Sequence, residues 1–123
     1  MSMLRGVVVG HGDVARALID AVGRIAGTED SLVAVSNTDC DRAALEERIT
    51  EAIGDGPGIV FIDMPSGSCL FAAMRRLQEL PGIRLVTGVN LAMLLEFVFH
   101  REGQVDEVAA QVAEAGARAV GTR

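Results

Sequence analysis

The sequence predicts an α/β fold, a doubly wound three-layer sandwich around a mainly parallel sheet with strand order 2-1-3-4. Short apolar runs alternate strictly with segments whose apolar residues recur at helical spacing, which is typical of a parallel sheet with helices on both faces. Right-handed crossovers and short connections favour that strand order.

Four apolar runs predict the strands, over residues 4–10, 32–35, 59–62 and 83–87. Helices are expected after them, in segments with apolar stripes at 14–25, 45–53, 70–77, 91–99 and 105–119. In the first helix the apolar stripe consists of Val14, Leu18, Val22 and Ile25. Asp13 and Asp41 precede the first two helices and are candidate N-caps.

Composition excludes several classes of function. The 123 residues carry a net charge of −6, and all eleven basic residues are arginines. The lack of lysine excludes a P-loop lysine and a Schiff-base lysine, and the lack of basic tracts and of Trp and Tyr argues against nucleic acid as a partner. No apolar run approaches the roughly 18 residues of a membrane span. We therefore expect one cytoplasmic domain over residues 1–123, without membrane insertion.

Cys40 and Cys69 are too few and too unpatterned for a disulfide framework or a zinc site. Cys69 stands near a helix start, where a lowered thiol pKa is conceivable, but a buried, inert thiol fits the pattern better. We accordingly expect reduced thiols, no metal site and no cofactor.

The candidate chemistry lies at the ends of two strands. His11 stands between Gly10 and Gly12 after the first strand, and Asp63 directly follows the third. With the order 2-1-3-4, these strands are neighbours whose chains leave in opposite directions, so their carboxyl ends form the crevice where such sheets bind ligands. A neutral imidazole is a competent nucleophile near pH 7, and a nearby carboxylate can fix its tautomer and stabilise the positive charge it gains. His11 and Asp63 are therefore the predicted catalytic pair.

Groups suited to an anion are expected around the same crevice. The turn 66–68 opens a helix, so its backbone N–H groups, hydroxyls and helix dipole favour phosphate. Another helix starts beside the first strand, and an amide side chain follows the fourth. The residues predicted to bind phosphate are Gly12, Ser66, Gly67, Ser68 and Asn90. Together these groups suit a histidine that accepts a phosphoryl group and passes it on.

Three segments resemble the IIA domain of the mannose family of the bacterial sugar phosphotransferase system. They are the apolar strand into His11-Gly12 with Ala15 following, the segment 63–68, where the family tends to have D-L-F-G-G-S-P, and GVNLAMLLE at 88–96, which is similar to the family's G-V-N-L-P-M-L-L-E. The resemblance implies a phosphotransferase component in which His11 is phosphorylated by the phosphocarrier protein HPr. Asp63 would pair with the histidine, and Ser68 would help to bind the phosphate.

The resemblance also implies partners. The acceptor would be a IIB component on a separate chain, and association with a membrane complex of IIC and IID components would follow in sugar uptake. Family members are usually homodimers that exchange a short C-terminal antiparallel strand, for which Ala117 to Val120 is the remaining candidate. The apolar stretch Leu91 to Phe99 suits either core or a dimer contact.

The chain departs from the family pattern at a few positions. Pro65 and Ser66 replace the usual aromatic residue and first glycine, Cys69 stands where proline is common, and Ala92 replaces proline. These changes alter the loop and bear on partner choice and transfer rate, while His11 and Asp63 are retained.

Three alternatives were weighed against the phosphoryl carrier. A regulatory phosphoacceptor that moves no sugar fits the same residues and stays open. A dinucleotide-binding module matches Gly10-x-Gly12-x-x-Ala15, but Val35-Ser36-Asn37 ends the second strand without an acid for a ribose. A phospho-aspartate receiver would need a lysine, and the chain has none.

Overall fold

The computed structural model describes residues 3–28, 30–77 and 80–123. Its sheet has four parallel strands in the order β2-β1-β3-β4, which confirms the predicted order. The strands are β1 (Arg5–Gly10), β2 (Leu32–Ser36), β3 (Gly58–Ile62) and β4 (Ile83–Thr87).

Helices follow the strands as expected from the apolar periodicity. They are α1 (Val14–Ala26), α2 (Arg42–Ile53), α3 (Ser68–Leu77), α4 (Leu91–Phe99) and α5 (Val105–Arg118). Asp41 caps α2, since its carboxylate accepts a hydrogen bond from the Ala44 backbone N–H at 2.8 Å. Asp13 occupies the corresponding position of α1 but makes no capping hydrogen bond through its side chain.

The alternation of side chains along the strands separates two apolar cores. Val8 points into the core formed with α1, α4 and α5, whereas Val7 and Val9 point into the core formed with α2 and α3. Both cores are built from fully buried residues, so β1 is covered on both faces. The result is the predicted three-layer sandwich.

The buried face of α1 differs from the predicted stripe. Ala15, Ile19 and Val22 are buried, while Val14 and Ile25 are 43% and 60% exposed. The helix begins tightly against the end of β1: a Cβ added at Gly10 would lie 3.3 Å from the Ala15 backbone nitrogen. With the helix this close to the strand end, the small Ala15 side chain faces the core and the Val14 side chain faces solvent.

The last helix confirms the expected helical segment at the C-terminus, and the candidate edge strand at Ala117 to Val120 is not formed in the single chain. Ala117 and Arg118 belong to the last turn of α5, and residues 119–123 form no strand. Gly116 is buried against Met93 of α4, and its carbonyl accepts a hydrogen bond from the Asn90 amide at 3.1 Å. These contacts hold the segment as a helix beside α4.

The two central strands bring their carboxyl ends together. The Asp63 N–H donates to the Val9 carbonyl at 3.2 Å, which extends the pairing of β1 and β3 by one residue. The residues that follow both strands are therefore held side by side. In the described part of the chain, no helix combines the length and the apolar character that crossing a membrane requires.

Candidate functional site

His11 and Asp63 meet at the switch point of the sheet, as predicted. One carboxylate oxygen of Asp63, Oδ2, accepts the His11 backbone N–H at 2.9 Å and lies 2.7 Å from Nδ1 of the same residue. Because both residues directly follow paired strands, the backbone holds the two side chains within reach of each other. Asp63 thus holds both the main chain and the ring of His11.

The geometry fixes the tautomer of the imidazole. A carboxylate at 2.7 Å accepts a proton, so in the neutral ring Nδ1 carries the hydrogen and Nε2 keeps its lone pair. The His11 side chain is 41% exposed, whereas Asp63 is 13% exposed. The contact therefore leaves Nε2 as the ring nitrogen that Asp63 does not engage, on a partly exposed side chain, and the orienting acid is largely shielded from water.

The start of α3 lies beside this nitrogen. Gly67 has φ +93, a backbone conformation that residues with a Cβ rarely adopt, and a Cβ there would sit 3.8 Å from Nε2. Its carbonyl accepts the Phe71 N–H at 3.1 Å, so Gly67 precedes the first turn of the helix. The positive end of the α3 dipole accordingly lies near Nε2, with the exposed Ser66 and Ser68 on either side of Gly67.

The turn at His11 is supported from β2. The Gly12 N–H donates to Oδ1 of Asn37 at 3.2 Å, and the Ser36 hydroxyl donates to the Gly12 carbonyl at 2.8 Å. Gly12 adopts φ +55, which suits a glycine. From the sequence, Ser36 and Asn37 were interpreted only as the end of the second strand, and their role as supports of the histidine turn was missed. Their polar character after β2 was the available signal.

Asn90 has structural partners. Its Oδ1 accepts the Met93 N–H at 3.0 Å and caps α4, and its Nδ2 donates to the Gly116 carbonyl at 3.1 Å. The amide therefore links the start of α4 to the end of α5. Its predicted part in binding phosphate stays a prediction, and the contacts described here favour a role in holding the two helices together.

Cys69 is buried as expected from the sequence, but its position beside the histidine was not predicted. It lies in the first turn of α3, it is fully buried, and its Sγ is 3.8 Å from Nδ1 of His11. Burial raises the pKa of this thiol to about 11, and the negative charge of Asp63 adds to the effect. The apo protein therefore holds the sulfur as a neutral thiol at neutral pH.

One oxygen of Asp63 lacks a partner. Oδ1 is buried, and it accepts no hydrogen bond from the residues that the structure describes. Buried carboxylate oxygens are usually satisfied by donors, since leaving one unpaired is costly. His11, Asp63 and Cys69 thus form a compact cluster, and the carboxylate of Asp63 carries an unused acceptor.

Comparisons with known proteins agree on one family. The family model described as EIIA-man, "PTS system fructose IIA component", matches residues 6–115. The "PTS system fructose-specific EIIA component" of Bacillus subtilis (strain 168) is 31% identical over 105 residues, which cover 81% of this chain and 72% of that protein.

Solved structures give the same result. The mannose/sorbose specific IIA subunit of the phosphotransferase system from Enterococcus faecalis superposes with a TM-score of 0.83 at 28% identity, covering 99% of this chain and 96% of that one. The phosphotransferase system component EIIA from Streptococcus agalactiae shares the fold, with a TM-score of 0.90 at 20% identity over 98% of this chain and 97% of that one. The chain belongs to the mannose-type IIA family and is a component of the sugar phosphotransferase system.

Proposed function

We propose that this protein is a phosphoryl carrier, in which Nε2 of His11 accepts a phosphoryl group from phosphorylated HPr and passes it to a IIB partner. The observation that carries the proposal is the 2.7 Å contact between Nδ1 and Asp63, because in the neutral ring it leaves the lone pair on Nε2 of a partly exposed side chain. Membership of a family of phosphotransferase components supports the same chemistry.

The transfer step follows from the tautomer. The Nε2 lone pair forms a bond to phosphorus while the bond from phosphorus to the nitrogen of HPr breaks, and the bonding electrons return to HPr. The imidazole of His11 gains positive charge, which the Asp63 carboxylate stabilises across the hydrogen bond to Nδ1. Delivery to IIB is the same displacement with His11 as the leaving group.

Backbone groups are proposed to hold the phosphoryl oxygens. The α3 N-terminus lies beside Nε2, and preorganised N–H groups stabilise the charge on a transferring phosphoryl group. The hydroxyls of Ser66 and Ser68, which flank Gly67 and are exposed, are proposed to assist. Since the chain lacks lysine, the helix start supplies the electrostatic role that lysine has in many phosphate sites.

We further propose that the carrier acts as a homodimer through α4. This helix buries Met93, Leu94 and Phe97 but leaves Phe99 65% exposed at its end. An exposed phenyl ring at the end of an apolar helix is the kind of surface that a second copy can cover. Sedimentation analysis should show a dimer that Phe99→Asp weakens, and a monomer at all concentrations would contradict this contact.

Labelling with phosphoenolpyruvate, Enzyme I and HPr tests the carrier directly. We expect label on this protein, its loss in His11→Ala and its retention in His100→Ala, which alters the other histidine. The bound label should be labile to acid and stable to base, as a phosphohistidine is. Persistent labelling of His11→Ala would overturn the proposal.

A further inference from the structure

Three different metal-ligand types converge at the site. Nδ1 of His11, a carboxylate oxygen of Asp63 and Sγ of Cys69 all lie within 4.8 Å of one another. Two of these residues follow adjacent strands, and the third lies in the first turn of α3. Their backbones are thus fixed by the sheet and by a helix packed on it, so the cluster is preformed.

The donor set matches a thiophilic divalent cation. Zinc takes cysteine sulfur, histidine nitrogen and carboxylate oxygen at about 2.0–2.3 Å, which places tetrahedral ligands about 3.3–3.8 Å apart. The 3.8 Å from Sγ to Nδ1 agrees with that spacing. The 2.7 Å from Nδ1 to Oδ2 is shorter because a proton joins these atoms, and it would widen when a metal replaces that proton.

A second observation concerns the carboxylate. Oδ1 of Asp63 is buried and has no hydrogen-bond partner within the described ranges. Buried unpaired oxygens are uncommon in native proteins and call for an explanation, such as an ion. The 41% exposure of His11 leaves a side from which an ion can reach the cluster.

We propose that His11, Asp63 and Cys69 bind a zinc-class, thiophilic divalent cation. Binding replaces the thiol proton of Cys69, which is released to solvent, and moves the imidazole proton from Nδ1 to Nε2. One proton leaves for each ion bound.

Metal binding and phosphorylation exclude each other. The nitrogen that attacks phosphorus has no lone pair while the metal holds Nδ1 and the proton sits on Nε2. This consequence rests on the proposed function, whereas the binding itself does not. Zinc would therefore hold the carrier in a form that cannot accept a phosphoryl group.

Cadmium tests the binding alone. Chelator-treated protein is titrated with Cd²⁺, and the ultraviolet thiolate-to-metal charge-transfer band is followed, with Zn²⁺ titration by calorimetry alongside. We expect one equivalent bound in the unaltered protein and in Cys40→Ser, and loss of the band in Cys69→Ser. Absence of the band from the unaltered protein, or its retention in Cys69→Ser, would overturn the site.

The second arm measures labelling from phosphorylated HPr with and without zinc. At a zinc concentration about ten times the dissociation constant, only about a tenth of the protein stays metal-free, so labelling should slow about tenfold. In Cys69→Ser, the labelling rates with and without zinc should be nearly equal. Equal inhibition of Cys69→Ser and the unaltered protein by zinc would refute the mutual exclusion of metal binding and phosphorylation. If neither protein is labelled even without zinc, the carrier proposal fails, while the cadmium result still decides the metal site.

Discussion

Replacing Asp63 by asparagine removes the negative charge beside His11 and keeps a side chain of nearly the same size. The carboxylate accepts two hydrogen bonds from His11, at 2.9 Å from the backbone N–H and at 2.7 Å from Nδ1. Asparagine can still accept through its oxygen, so we expect the fold to persist. What it cannot supply is a full negative charge opposite the imidazolium that forms during transfer.

The size of the effect follows from these contacts. A hydrogen bond to a charged group contributes about 1.5–3 kcal/mol. A loss of about 2 kcal/mol in the transition state corresponds to a rate about thirtyfold lower. If the asparagine NH₂ turns toward Nδ1, it favours the proton on Nε2, and the loss grows. Asp63→Asn should therefore be slow in labelling but folded.

The assay is the initial rate of label transfer from phosphorylated HPr, with circular dichroism to verify folding. Asp13→Asn is the matched control, because Asp13 is exposed, carries the same charge and makes no capping hydrogen bond through its side chain. We expect the control to transfer at the rate of the unaltered protein. A folded Asp63→Asn with that same rate would refute the orienting role of the carboxylate.

Three further predictions concern residues around the histidine. Gly67→Ala forces a Cβ onto a backbone at φ +93, so it should lower the free energy of unfolding by about 1–2 kcal/mol and slow labelling. The control variant Gly121→Ala should change neither quantity. Equal stability of the two variants in urea, together with equal labelling rates, would contradict this. Asn90→Ala removes the N-cap of α4 and should lower the free energy of unfolding in urea by about 1 kcal/mol. Slower labelling with an unchanged free energy of unfolding would instead indicate that Asn90 binds phosphate. The pKa of the Cys69 thiol rises from 9.0 to about 11 on folding, so the native protein keeps a proton that the unfolded chain releases, and stability should fall as pH rises across that window. Urea unfolding at several pH values in metal-free buffer checks this, and an identical pH dependence in Cys69→Ala would contradict it.

The order of the sheet and the catalytic pair could be predicted because both depend on rules of chain connection. Strict alternation of strand and helix leaves few topologies, and the carboxyl ends of β1 and β3 must then lie together. His11 and Asp63 follow these ends directly, so their 2.7 Å contact needs no knowledge of side-chain packing.

Features that depend on packing could not be predicted in the same way. Whether Cys69 faces His11 or another neighbour depends on the rotation of α3 about its axis, which a short apolar stripe leaves undetermined. The predicted buried face of α1 was wrong for the same reason: Ala15 is buried and Val14 is exposed, although alanine is the weaker apolar signal in the sequence. The link from the Asn90 amide to the Gly116 carbonyl could likewise not be predicted, because the two residues are 26 positions apart in sequence.

The C-terminal helix could be predicted from local pattern. A helix was expected over 105–119, whereas the resemblance made Ala117 to Val120 only a candidate for an exchanged strand. In the structure, the alanine-rich run continues α5 to Arg118, and the buried Gly116 packs against Met93 of α4. The helical spacing of Val108 and Val112 already pointed to this outcome.

The position of the phosphoryl group on the imidazole ring tests the central claim most directly. Nitrogen-labelled protein, phosphorylated through HPr, can be analysed by phosphorus and nitrogen NMR, which distinguishes the two ring isomers of phosphohistidine. The account predicts phosphate on Nε2 of His11, with the proton retained on Nδ1 beside Asp63. Phosphate on Nδ1, or on any residue other than His11, would contradict it.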